Sequence, residues 1–187
     1  MRVIAGTARG VPLKAPAGAA LRPTSDLIRG ALFDILGQFF DADTKVLDLY
    51  AGSGALGIEA LSRGAGWADF VEQEPRCCTA IRENLMAAGL QARAKVYCLS
   101  VARAVPRLPG PYDIIFMDPP YALPADLSLV TSLMERGARI VLEHSRRTSP
   151  PREESGLILA RQRRHGDTVI SIFEAQGASV GQSGLPG

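Results

Sequence analysis

Cysteine and histidine are scarce in this chain, and neither is spaced for chemistry. Of the three cysteines, Cys77 and Cys78 are adjacent and Cys98 stands alone, so no CxxC pair exists for metal or redox work. All three read as small buried hydrophobes. The two histidines, His144 and His165, stand at no ligand spacing and beside no nucleophile, so no metal site is expected. Long apolar runs are absent too: none approaches the roughly 18 to 20 residues of a membrane span. The opening MRVIAGTARG lacks the apolar segment of a secretory signal. A cytoplasmic protein that meets no membrane is expected. Lysine is nearly missing, since 18 of the 21 basic residues are arginine. Arginine suits phosphate forks and base stacking, although a GC-rich codon choice explains the same bias.

What remains is the composition of a globular protein: 187 residues, 47% apolar and 21% charged. That excludes a disordered or fibrous chain, and the length suits one domain without a second catalytic unit. A net charge of +2 conceals an uneven distribution. Residues 1–40 carry a net +3, 41–145 a net −3, 146–164 a net +4 and 165–187 a net −2. Two basic stretches thus flank an acidic middle, and together they could form a face toward a polyanion.

The first 16 residues read as a small hairpin, about 2–5 and 11–14, punctuated by Gly6, Gly10 and Pro12. From Ser25, apolar residues recur at helical spacing to near Gln38, with Thr24 or Ser25 as the cap. A strict alternation follows: strands at 45–50, 67–72, 94–99, 113–117 and 138–144, with helices at 55–63, 75–88 and 123–135. Such alternation makes a parallel sheet covered on both faces. The last two strands, 157–164 and 168–174, are joined by a turn at 165–167 without a crossover helix, so an antiparallel pair closes the sheet. The expectation is an α/β fold with a seven-stranded, mostly parallel sheet whose last strand is antiparallel, preceded by the hairpin and helix. Residues 1–176 form the single domain, and 177–187, with no period, read as a tail without fixed structure.

The first strand runs into a glycine-rich loop: Asp48, Tyr50, Ala51, Gly52, Ser53, Gly54 and Gly57 place GxGxxG between a strand and a helix. Glycines there let backbone approach a ligand and pack the helix on the sheet, and Glu72, 20 residues after Gly52, stands where an acid can accept from ribose hydroxyls. A dinucleotide and S-adenosylmethionine both fit this much. Asp48 separates them, because a carboxylate four residues before Gly52 is a poor neighbour for pyrophosphate and a good one for an ammonium and a sulfonium. The second motif, Asp118-Pro119-Pro120-Tyr121, follows the fourth strand, beside the first across the switch point. The exocyclic amine of a nucleobase is a weak nucleophile, since its lone pair is delocalised into the ring. Asp118, with a carbonyl held by the two prolines, can accept the amine hydrogens and free that lone pair. Tyr121 offers a face for the base, worth about 1 to 3 kcal/mol.

The segments VLDLYAGSGALGIEALSRGA (46–65), FVEQE (70–74), DIIFMDPPY (113–121), RPTSDLIRGALFDIL (22–36) and RRHGDTVISIF (163–173) together resemble the RsmD family of bacterial methyltransferases. These act on a guanine N2 amine of 16S rRNA in the small ribosomal subunit. The glycine loop and the Asp118 motif alone are shared with DNA amino-methyltransferases; the N-terminal helix and the C-terminal hairpin narrow the resemblance, which runs over residues 1–174. It implies a Rossmann-like class I fold, with S-adenosyl-L-methionine held by Asp48, Ala51, Gly52, Ser53, Gly54 and Glu72. It implies that Asp118, Pro119, Pro120 and Tyr121 hold the target base, and that Arg22 and Thr24 stand at the mouth of the site. Where relatives carry an aspartate for the adenine amine, this chain has Ser100, a weaker acceptor. Gly30 replaces an acidic residue in the helix motif. For RNA contact the basic flanks offer Arg2, Arg9, Lys14, Arg22, Arg146 and Arg147, and the hairpin adds Arg161, Arg163 and Arg164. The expected enzyme is a monomeric rRNA (guanine-N2)-methyltransferase. The rival readings are a DNA adenine or cytosine amino-methyltransferase and a non-catalytic RNA-binding assembly factor.

Overall fold

The computed structural model describes residues 1–15, 26–37, 39–119, 126–148, 150 and 153–176. Strand β1 (Lys45–Leu49) is buried from Val46 onward on both faces, as a central strand of a covered sheet must be. It pairs in parallel with β2 (Trp67–Glu72) on one side and β4 (Tyr112–Met117) on the other, and β3 (Ala94–Cys98) adds outside β2. Beyond β4 lies the parallel β5 (Met134–Ser145). Next come β8 (Thr168–Ala175), antiparallel to β5, then β7 (Leu157–His165) and the two-residue β6 (Glu153–Glu154) at the edge. The order is β3-β2-β1-β4-β5-β8-β7-β6. The seven expected strands all form, with the last one antiparallel, and β6 is an addition. Since the chain lays strands outward from β1 and then returns to its other side, a crevice opens between β1 and β4 at their carboxyl ends.

Among the described residues four α-helices accompany the sheet: α1 (Asp26–Leu36), α2 (Ala55–Ser62), α3 (Pro75–Ala87) and the one-turn α4 (Val101–Ala104). Helix α1 stops at Leu36 because Gly37 takes a left-handed φ of 60° and gives its N–H to the Phe33 carbonyl at 3.0 Å. The expected caps Thr24 and Ser25, and Gln38, lie outside the described residues. Pro75 opens α3, with the Glu74 side chain accepting from the Arg76 N–H. One core joins α1, α2 and α3 to one face of the sheet through Phe33, Val46, Phe70, Phe116 and Val141. The other face carries Leu47, Leu49, Ile115, Ile140 and Leu142. Phe39 and Phe40 pack half-buried against the first core, the Phe40 ring centroid 5.5 Å from that of Phe33.

Three expectations change. The helix expected at 123–135 is, over its described part, a 3-10 helix (Leu127–Leu133) that passes directly into β5. Its buried residues Leu127, Val130 and Leu133 repeat every three positions, the period of a 3-10 helix. Asp126 starts the turn by accepting from the Ser128 N–H at 3.0 Å. The N-terminal hairpin is short: its one bridge, Arg2 with Pro12, is flanked by the Val3 N–H on the Val11 carbonyl and the Leu13 N–H on the Met1 carbonyl, both at 3.0 Å, and the ladder stops where the Val11 N–H turns to the Ala8 carbonyl at 3.1 Å. Third, Cys98 is exposed, at the end of the edge strand β3, with its Sγ 2.6 Å from Sγ of the buried Cys78.

The N-terminal segment is fastened to α2 by charge. Glu59 is fully buried and accepts from the N–H groups of Ile4 at 2.8 Å and Ala5 at 3.0 Å and from Arg63 Nε at 2.8 Å. The buried Arg29 of α1 donates to the Arg2 carbonyl and to Asp26.

Candidate active site

Asp48 is the one buried charged residue of β1 and is 2% exposed. Its Oδ2 accepts from the Gly57 N–H at 2.9 Å, in the first turns of α2. Burial pushes the carboxyl up to about 8; the Gly57 N–H opposes this, while the carboxylates of Asp118 and Glu72 push the same way. Three acids from three strands therefore influence one another at the carboxyl ends of β1, β2 and β4.

The loop between Asp48 and α2 is sharply folded. Tyr50, Gly52 and Gly54 all have left-handed φ, at 58°, 56° and 77°. For Tyr50 this conformation costs about 1–2 kcal/mol, and strained residues of this kind gather at functional sites. The Ala51 N–H reaches the Val71 carbonyl at 3.1 Å, which pins the loop to β2. Glu72 Oε2 accepts from the Gly52 N–H at 2.8 Å and Oε1 from the Glu74 N–H at 2.8 Å. Each oxygen keeps a further lone-pair direction for a ribose hydroxyl. Gly57 lets the Phe70 ring close over the loop, for a Cβ there would meet the ring at 2.4 Å.

Two contributors carry no mark in the motifs. Tyr50 is one, because backbone strain has no sequence signature. The other is Asn84 of α3, buried, which donates to the Ser53 carbonyl at 2.9 Å and exchanges two hydrogen bonds with the Lys14 backbone at 2.8 and 2.9 Å. Asn84 thus ties the glycine loop to the N-terminal segment. A polar residue at an apolar position of α3 was its only sequence signal.

Ser100 follows β3 and caps α4 with its carbonyl, which accepts from the Arg103 N–H at 3.0 Å and the Ala104 N–H at 2.9 Å; its hydroxyl caps nothing. Asp118 is half-buried and Pro119 buried. Pro120, Tyr121, Arg22 and Thr24 lie outside the described residues.

The basic candidates fall into two places. Arg146 and Arg147 follow β5, and Arg163 and Arg164 end β7, which runs in the direction of β5; all four are exposed. Arg146 Nε pairs with Asp167 in the β7–β8 turn at 2.8 Å, which joins the two segments. This rim is at the carboxyl end of the sheet, as are Asp48 and Asp118. Arg9 is elsewhere: its neighbours Thr7 and Ala8 bond to Ser62 at the far end of α2. Among the described residues no helix is long and apolar enough to cross a membrane.

Chemically, the crevice combines acids with close backbone approach. Burial, aided by Asp118 and Glu72, keeps Asp48 protonated, and a cation beside it would favour its ionised form, so the residues fit a ligand with a sulfonium and an ammonium, as S-adenosylmethionine has. Asp48 would face the charged methionine part and Glu72 the ribose.

The family model described as Conserved hypothetical protein 95 matches residues 1–174. YlbH of Bacillus subtilis, provisionally named an rRNA methyltransferase, is 38% identical over 186 residues, covering 95% of this chain and 100% of YlbH. Ribosomal RNA small subunit methyltransferase D of Escherichia coli K12 is 33% identical over 187 residues, covering 96% of this chain and 93% of that protein. In structure, the Escherichia coli protein yhhF, provisionally named a methyltransferase, superimposes with a TM-score of 0.80 at 28% identity, over 95% of this chain and 98% of that one. Likeness over nearly the full length, with Asp48, Glu72 and Asp118 at one sheet edge, places the chain: it belongs to the RsmD family of S-adenosylmethionine-dependent methyltransferases.

Proposed function

We propose that this enzyme methylates the exocyclic N2 amine of a guanine in small-subunit ribosomal RNA. The observation that carries the reading is the meeting of Asp48, Glu72 and Asp118 across β1, β2 and β4, in an enzyme whose near-full-length relatives are named for ribosomal RNA. S-adenosylmethionine supplies an electrophilic methyl group on a sulfonium and leaves as a neutral thioether. Asp48 and the backbone of Ala51 to Gly54 hold its methionine part, Glu72 its ribose, and Ser100 stands beside the adenine. Asp118 accepts a hydrogen of the guanine amine and keeps the nitrogen lone pair directed at the methyl carbon. As the N–C bond forms, the nitrogen sheds one proton, which Asp118 passes to water. Pro119 and Pro120 restrain the loop, and Tyr121 stacks on the base. Arg146, Arg147, Arg163 and Arg164 meet phosphates along the rim, with Arg22 and Thr24 at the mouth. The guanine leaves its stack at a cost of a few kcal/mol.

The test gives the protein labelled donor together with undermethylated small subunits, free rRNA and duplex DNA. Label in a guanine of the rRNA is expected, and label in the DNA alone would overturn the reading. Asp118→Ala should bind the donor as before and lose at least about 100-fold in turnover, the ordinary worth of a positioned proton acceptor.

A further inference from the structure

A fourth carboxylate stands at the same sheet edge, and the motifs do not account for it. Leu142 of β5 is the Cα partner of Met117 of β4, so one step further along both chains Glu143 stands beside Asp118. Phe116 and Val141 belong to the same core, and side chains alternate along a strand, so Glu143 within β5 stands on that face, level with Asp118 just past the end of β4. On its other side Glu143 pairs with Ile170 of β8, whose side chain lies in that core as well. Neighbouring strands are about 4.8 Å apart. Glu143 is 7% exposed, deep for a carboxylate beside another carboxylate. It has interactions in the folded chain, and the contact inferred below is one of about four that a carboxylate can accept.

The edges of the bases differ at the position this carboxylate would meet. Guanine presents two donors side by side, N2–H and N1–H. Adenine and cytosine also have an exocyclic amine, but the ring nitrogen beside it carries a lone pair. With the amine held at Asp118, the next atom along the edge is a donor in guanine and an acceptor in the other two. A carboxylate one strand over attracts the first and repels the second. We infer that Glu143 is a specificity-determining residue, accepting the N1–H of the target guanine and rejecting bases with a lone pair at that place. The inference rests on the proposed guanine-N2 activity and explains how an Asp-Pro-Pro-Tyr site shared with adenine and cytosine enzymes selects guanine.

2-Aminopurine tests this, since it keeps the amine of guanine and replaces N1–H by a lone pair; it also lacks O6, a loss common to wild type and variant and therefore cancelled when their preferences are compared. The methylated position is first mapped with wild-type enzyme, then rRNA substrates carry guanine or 2-aminopurine there. Wild-type enzyme should prefer guanine by 100-fold or more in kcat/KM. Glu143→Gln should lose about 10- to 100-fold on guanine, the worth of a hydrogen bond to a charged group. Because the amide can donate to a lone pair, its preference for guanine over 2-aminopurine should fall at least tenfold. A wholly structural role would lower both substrates together. An unchanged ratio in a folded Glu143→Gln enzyme overturns the inference. Should that variant not fold, Glu143→Asp keeps the charge but withdraws it by one methylene. It should lose at least tenfold on guanine at unchanged affinity for S-adenosylhomocysteine, and wild-type turnover would overturn the inference equally. Failure of the underlying reading is distinct: wild-type enzyme would then place no label in guanine at all.

Discussion

Asp48 holds a proton at neutral pH that an ordinary aspartate has lost, and this has a measurable sign. Its folded value of about 8 lies above the 3.8 of an exposed aspartate. Between those values the folded chain binds the proton and the unfolded chain does not, so stability falls as pH rises through the window. The slope from this group is at most about 1.4 kcal/mol per pH unit. Asp48→Asn removes the titration and keeps an oxygen for the Gly57 N–H. In the ligand-free protein its melting temperature should equal that of wild type near pH 4 and exceed it by a margin that grows toward pH 8. Donor binding should weaken about tenfold or more with the loss of a charged acceptor. Parallel melting profiles for the two proteins between pH 5 and 8 would show that Asp48 is ionised throughout. The position of Asp48 was legible from its spacing to Gly52, but its protonation was not, because that depends on burial and on Asp118 and Glu72 arriving from distant parts of the chain.

At the scale of elements, the succession of strands and helices and the antiparallel ending could be read from the sequence, since a period of two and a period of 3.6 are distinct over long runs. The segment before β5 was misread because Leu127, Val130 and Leu133 satisfy a helical pattern as well as a 3-10 one over so few residues. GxGxxG was legible as a loop, and so was the packing of its helix on the sheet, though not the residue, Phe70, that makes the last glycine necessary. Gly57 sits within α2, where alanine would favour the helix by about 1 kcal/mol. Its Cβ, however, would lie 2.4 Å from the Phe70 ring, and that ring is fully buried against Ile81 and Gly54 with no room to withdraw. Gly57→Ala should therefore destabilise by about 1 to 3 kcal/mol net, lowering the melting temperature by about 2 to 12 °C in a chain of this size. Gly57→Ala combined with Phe70→Leu should recover part of the loss, because the smaller side chain vacates the contact. A single variant as stable as wild type would mean that the loop adjusts freely.

For the whole molecule, the division of charge becomes a matter of geometry. The acidic middle of the chain forms the sheet that carries Asp48, Glu72 and Asp118, and the basic stretch at 146–164 lies along the same carboxyl edge. A sequence count could not establish that, since it also grouped Arg9 with this set, and the fold puts Arg9 toward the opposite end of α2. On the proposed reading this rim holds the RNA, and the consequence is a dependence on salt. Each arginine that meets a phosphate of unpaired RNA releases a counterion and contributes about 0.7 to the slope of log affinity against log salt. Replacing Arg146, Arg147, Arg163 and Arg164 together by glutamine should reduce that slope by about 3 and weaken RNA binding most at low salt. Affinity for S-adenosylhomocysteine should not change, since none of the four approaches the glycine loop. The measurement is a salt titration of rRNA binding by wild type and the fourfold variant. A slope unchanged in a variant with normal cofactor affinity would move the RNA to another face of the enzyme.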